Sequence, residues 1–90
     1  MELYTFILEF RGGTYITQFS GGSLTPAFKK WVNGIRFGHV VPNLREKTSE
    51  RLDAHFRETK PVPLKGCKSV FSTSALVGRD LALVNVVRTH

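Results

Sequence analysis

The sequence predicts a two-layer α+β domain over residues 1–90, in the order β-β-α-α-β-β, with one four-stranded antiparallel sheet and both helices on one of its faces. Three observations predict it. An aromatic strand pair surrounds the glycines at 12 and 13, a helical stripe of Phe28, Trp31, Val32 and Ile35 follows, and Leu81–Val87 is apolar on both sides.

The first element, residues 4–19, reads as one hairpin. Gly12-Gly13 suits the positive φ angles of a two-residue turn, and would set Arg11 opposite Thr14, Phe10 opposite Tyr15, Leu8 opposite Thr17 and Phe6 opposite Phe19. Because side chains alternate, Tyr4, Phe6, Leu8, Phe10, Tyr15, Thr17 and Phe19 then share one face, and Thr5, Ile7, Glu9, Arg11, Thr14, Ile16 and Gln18 the other. Ser20-Gly21-Gly22-Ser23 reads as a turn, and Thr25 as an N-cap with Pro26 at the first helical position. Phe28, Trp31, Val32 and Ile35 recur at i, i+3, i+4, i+7, with Lys29, Lys30 and Asn33 opposite and Asn33-Gly34 as a stop.

Residues 35–42 read as a loop or a short extended segment, because Pro42 turns Val41 away from helix. Asn43 to Glu46 has capping-box spacing, and a helix over Leu44–Glu58 sets Leu44, Thr48, Leu52, His55 and Phe56 on one stripe. Asp53 and Arg57 fall at the favourable i,i+4 spacing. Lys60-Pro61-Val62-Pro63-Leu64-Lys65-Gly66 cannot be helical and reads as an extended linker. Strands follow near 68–74 and 81–88, joined through Gly78-Arg79-Asp80, the second apolar on both faces and so suited to the middle of the sheet. Phe28, Trp31 and Ile35 are expected to cover Phe6, Leu8 and Phe19, leaving the face of Ile7 and Ile16 to solvent or a partner.

Composition excludes several classes. At 41% hydrophobic and 22% charged, the chain is ordinary for a folded domain and unlike a disordered one. The apolar runs are too short to cross a bilayer, so no membrane partner is expected. No basic leader precedes an apolar core at the start, and Cys67 is the single cysteine, which together point to the reducing cytoplasm. The net charge is +6, and residues 25–68 alone hold ten basic and four acidic side chains. Lys29, Lys30, Arg36, Arg45, Lys47, Arg51 and Arg57 are therefore the candidate phosphate contacts, against the plainer reading of a solvated surface.

No catalytic spacing emerges. His39, His55 and His90 form no metal-ligand pair, and neither a metal nor a cofactor is expected. His55 reads as a packed side chain, His39 as a loop histidine without an acidic neighbour, and His90 as a frayed end. Cys67 has no local nucleophile signature and reads as a partly buried structural thiol. Glu46, Glu50, Asp53 and Glu58 interleave with basic residues as on a solvated helix face. Gly12-Gly13 and Gly21-Gly22 lack the phosphate-loop pattern, and Arg11-Gly12-Gly13 occurs once, unlike an RNA-binding repeat. The aromatic sheet face could stack bases if exposed, but Trp31 and its helix need an apolar partner and no other large one is on offer.

Residues 1–36 resemble the HicB-type antitoxins, small proteins with a truncated ribonuclease-H-like fold. The likeness lies in Tyr4-Thr5-Phe6-Ile7-Leu8-Glu9, the glycine turn, Tyr15-Ile16, and Ser23-Leu24-Thr25 followed by Ala27 and Trp31 in a helix. The chain has Pro26 where that family carries a glutamate before the helical alanine, and its second half has no counterpart there. The resemblance implies a binding role.

Two functions compete on the sequence. One is a small non-enzymatic protein-interaction or self-association module, as a homodimer or with another protein. The other is a basic nucleic-acid-binding module built on the seven cations. A small hydrolase ranks third.

Overall fold

A computed structural model describes residues 1–89 as a two-helix layer on an antiparallel sheet. The strands are β1 (Glu2–Phe10), β2 (Gly13–Gly21), β3 (Val62–Pro63), β4 (Val70–Val77) and β5 (Asp80–Arg88); the helices are α1 (Leu24–Arg36) and α2 (Glu46–Arg57). The expected frayed end, His90, lies outside the described residues.

The sheet has five strands rather than four, in the order β2-β1-β5-β4-β3. The extra strand comes from the segment that reads as a linker: Val62 lies opposite Ser72 and Pro63 opposite Phe71. Proline has no N–H to donate, so this short strand suits an edge and nowhere else. The doubly apolar β5 holds the centre, between β1 and β4. Gly78, at φ 63°, opens the two-residue turn between β4 and β5.

The first hairpin turns one residue earlier than Gly12-Gly13. Arg11 (φ 51°) and Gly12 (φ 78°) are the turn residues, and Phe10 pairs with Gly13, Leu8 with Tyr15, Phe6 with Thr17 and Tyr4 with Phe19. Two adjacent positive φ angles match a type I′ turn, whose twist fits the strands. In this conformation the Arg11 guanidinium pairs with Asp80 at 2.8 Å and lies 4.8 Å over the Phe10 ring. Gly13 leaves room for the Tyr15 side chain, since a Cβ there would lie 2.5 Å from Tyr15 Oη. The shift preserves parity, so the aromatic face survives intact.

α1 also differs from the reading at both ends. Its N-cap is Ser23, so Pro26 sits third in the helix, still among the positions whose N–H has no intrahelical acceptor. Ser20 and Gly21 belong to β2 rather than to the turn. The helix runs through Asn33-Gly34 and stops at Gly38 (φ 78°), where Gly38 N–H reaches Ile35 O at 3.3 Å and His39 N–H reaches Gly34 O at 2.8 Å. This is the paired closure of a Schellman motif. Gly34 serves close packing: a Cβ would stand 3.0 Å from Val40 Cγ2 and 3.3 Å from Phe19 Cζ.

α2 starts at Glu46 instead of Leu44, because Asn43 takes φ 60° and turns the chain before Arg45 caps it. Its buried stripe is Thr48, Ser49, Leu52 and Phe56. The stripe is rotated toward Ser49, so His55 is exposed rather than packed. Ser49 Oγ donates to Glu46 O at 2.9 Å, which satisfies the buried hydroxyl.

Between the layers lies an aromatic stack. Trp31, fully buried, lies parallel to Phe6 at 5.4 Å between ring centres, stacks on Phe28 at 5.6 Å and meets Phe56 edge-on at 5.0 Å. Val84, Val86 and Ala82 of β5 and Ala75 and Val77 of β4 complete this core. The indole N–H of Trp31 and the Thr17 hydroxyl have no hydrogen-bond partner among the described residues. At the far end of β1, buried Tyr4 donates to Glu2 Oε1 at 3.2 Å. Burial pushes its phenol pKa up from 10.0, Glu2 pushes the same way, and Arg88 pulls back.

Candidate functional site

The seven candidate cations do not form one track. Arg36 bonds Glu50 across the helix pair at 3.4 Å, while Arg57 is held by Asp53 at 2.9 Å and by Asn33 Oδ1 at 2.6 Å. These contacts zip the solvent seam between α1 and α2 and partly neutralise it. Lys30 leans the other way and donates from Nζ to Ser20 O of β2 at 2.7 Å. Arg45, Lys47 and Arg51 stand exposed at the start of α2, beside Glu46 and Glu50. Lys29 is exposed one turn from the start of α1 and makes no ion pair among the described residues.

The outer face of the sheet is a different surface. No element covers it among the described residues, and the register sets Ile16, Ile7, Asn85, Ser72 and Val62 in one row across all five strands. Leu83 lies opposite Glu9, and Leu81 opposite Leu76. Ile16 is 64% exposed, and Val62, Leu76 and Leu81 each more than half. Glu9 is the lone charge among the strand positions between Gln18 and Leu83 on this face, so the surface is apolar and polar rather than ionic.

The two sheet edges also differ. The outer side of β4 is covered only from Val70 to Ser72, where Leu64 N–H donates to Val70 O at 3.0 Å and Val62 lies opposite Ser72; Pro63 between them has no N–H to offer outward, and Ser74 and Leu76 lie beyond the end of β3. β2 is nine residues long with no strand beyond it among the described residues. Since Phe10 and Gly13 flank a two-residue turn, antiparallel alternation aims the backbone groups of Thr14, Ile16, Gln18 and Ser20 away from β1. The Lys30 bond to Ser20 O closes the last of these, leaving Thr14 to Gln18 open.

A third feature is a groove of about 380 Å³ between the first half of α1 and the chain leaving α2. Phe28, Val32 and Phe56 form its floor, and Lys29, Arg57 and Lys60 stand around it with Glu58. Its far wall is fixed where Thr59 N–H and Oγ1 both reach Phe56 O, at 3.3 and 3.2 Å.

Catalytic groups remain dispersed. Cys67 is exposed rather than partly buried, because it lies in the turn after β3 where Cys67 N–H bonds Leu64 O. His39 and His55 are exposed on separate segments, and no group of three metal-ligating side chains occurs among the described residues. No helix there is long and apolar enough to cross a membrane.

The outer apolar row is readable from the hairpin parity, but the open β2 backbone is not: it depends on the strand order, and moving the turn by one residue reverses which backbone groups face outward. The groove is not, because Lys60 and Pro61 read as linker and only packing brings them beside Phe28. Comparison with protein-family models, with curated proteins and with solved structures gives no match.

Proposed function

We propose that this chain is a non-enzymatic protein-interaction module that works by self-association, two copies joining along β2. The observation that carries the reading is the asymmetry of the edges: one is a two-residue strand with Pro63, beyond which only Ser74 and Leu76 of β4 face outward, and the other is a nine-residue strand with outward backbone groups at Thr14, Ile16 and Gln18. An antiparallel edge is self-complementary under a two-fold axis. Centred on Ile16, such an axis pairs Thr14 of one copy with Gln18 of the other and sets two Ile16 side chains together on the outer face. The sheet then continues through both copies, and the one charge near Ile16 on this face, Glu9, lies on β1, a strand away from the joined edge. The binding role implied by the likeness to HicB-type antitoxins agrees with this reading.

A nucleic-acid role is less well supported, because Arg36 and Arg57 are engaged by Glu50, Asp53 and Asn33, and Lys30 turns toward β2. Light scattering at micromolar concentration is expected to give about twice the chain mass of 10.1 kDa. Ile16→Lys places two like charges at the axis and should give a folded monomer with an unchanged circular dichroism spectrum. Binding to random RNA should vanish as salt rises. A wild-type monomer that keeps RNA or DNA affinity at physiological salt overturns the proposal in favour of the basic helix layer.

A further inference from the structure

We infer that the outer face of the sheet docks an amphipathic helix of a partner protein, its apolar stripe on Ile7, Ile16, Leu76, Leu81 and Leu83 and one lysine or arginine of that stripe on Glu9. The apolar surface is open to contact: Ile16 is 64% exposed, Leu81 57% and Leu76 56%, and Ile7 and Leu83 lie partly buried between them. These side chains run diagonally over four strands, from Ile16 on β2 to Leu76 on β4. Three strand spacings of about 4.8 Å and four residues of about 3.3 Å make that path roughly 20 Å, or three to four turns of helix. The other end of the same face is polar and bonded to itself, with Gln18 Nε2 donating to Thr5 Oγ1 at 3.0 Å and the Thr5 and Thr89 hydroxyls 3.3 Å apart.

Glu9 selects the partner's charge. It stands within the apolar diagonal, with Leu83 opposite it on β5 and Ile7 two residues away on β1, and it makes no ion pair among the described residues. Arg11, the cation closest to it in the chain, is engaged by Asp80. A wholly apolar partner would strip water from the Glu9 carboxylate and leave it unpaired, whereas an ammonium or guanidinium on the partner offsets that cost with charge-assisted hydrogen bonds. A second copy does not meet the need: laid face to face, its outer strand positions bring another Glu9 and no lysine or arginine. The backbone selects a helix. β1 and β5 are paired on both sides, so an extended segment laid over them would bury backbone groups with nothing to bond, while a helix arrives with its own bonds made. Two copies joined along β2 keep this face open, so the inference is independent of self-association.

The probe is a labelled helical peptide of about sixteen residues, with a leucine stripe broken by one central lysine and an alanine–glutamine polar face. Its control carries glutamate in place of that lysine. By fluorescence anisotropy, the lysine peptide is expected to bind the wild-type chain at least fivefold more tightly than the control, although the net charge of +6 favours the acidic peptide at a distance. Glu9→Lys should invert the order. Leu76→Ser with Leu81→Ser should weaken the lysine peptide at least tenfold. All three side chains are exposed, so the melting temperature should hold, and an inverted preference is a readout that a loss of folding cannot mimic. Binding of neither peptide, equal affinity of the two for the wild type, or an order untouched by Glu9→Lys overturns the proposal. So does a wild-type species larger than a dimer that the double serine variant abolishes, which would put a second copy on this face.

Discussion

The two faces of the sheet are built from the same strands and differ by one residue of phase, yet they serve opposite ends. On the inner face, Phe6, Leu8, Val84 and Val86 meet Trp31 and the helices and lose all contact with water. On the outer face, Ile7, Ile16, Leu81 and Leu83 have similar apolar character and no cover. Hydrophobicity alone therefore does not decide burial here. What decides it is the supply of a matching apolar stripe, and two helices suffice for one face only. The inner face carries stability, and the outer one stays in contact with solvent.

Substitutions can break that division. The largest effect is expected at Trp31, whose removal opens a cavity beneath Phe6, Phe28 and Phe56. Trp31→Ala should cost about 3–5 kcal/mol, enough to unfold a domain of this size, as read by denaturant titration. The wild-type emission should be blue-shifted, as for a dry indole.

A change of opposite sign is expected one strand away. Thr17 points inward with a hydroxyl that finds no partner among the described residues. Thr17→Val keeps the shape and removes that unpaired group, and should stabilise the domain by up to about 1 kcal/mol in the same titration. A loss of stability would mean that the hydroxyl is satisfied after all and that the inner face is less dry than its neighbours.

Smaller still is the expected effect of Leu81→Thr on the outer face. The side chain is 57% exposed, so the change should stay within about 0.5 kcal/mol. A loss like that at Trp31 would erase the distinction between the faces.

The faintest signal belongs to Tyr4 and appears only in alkali. Burial raises its pKa in the folded chain, with Glu2 adding to the effect. The fold thus favours the neutral phenol: its contribution is complete below pH 10.0 and is lost as the pH climbs through the raised value. Tyr4→Phe should flatten the alkaline limb of a stability–pH curve and leave the neutral region unchanged.

Much of this architecture is legible in the residues. The period-two alternation of Tyr4, Phe6, Leu8 and Phe10 assigns the inner face, and it tolerates a misplaced turn because the error is even. The stripe of Phe28, Trp31, Val32 and Ile35 finds α1 for the same reason: many residues vote on a phase. Boundaries rest on single residues, and there the sequence misleads. Gly34 looks like a stop but exists to admit Val40 and Phe19, a tertiary demand that no local pattern encodes. Pro63 looks incompatible with a sheet, yet an edge needs no N–H on its outer side. The candidate cations are legible as a composition only, since their convergence depends on how α1 lies beside α2, and there acids intervene.

The central seam of the sheet also sets how this chain must fold. β1 pairs with β5, so Ile7 lies opposite Asn85, while each strand's other neighbour is a close one in sequence. The two hairpins can form early because their turns close over two residues. Joining them requires closing the loop of roughly fifty residues between Gly21 and Val70, an entropic cost of about 3.5 kcal/mol before any contact across the seam repays it. During synthesis, α1 can settle on the β1–β2 hairpin as soon as both have emerged, and α2 can then dock through Phe56 on Trp31 and Phe28, but its contact with the sheet waits for β4. Until then β1 has an open edge in its own right, with the backbone of Thr5, Ile7 and Glu9 exposed. Docking of the second hairpin is then expected to limit the rate, and Val86→Ala at that seam should slow refolding in a stopped-flow measurement more than a substitution in either turn.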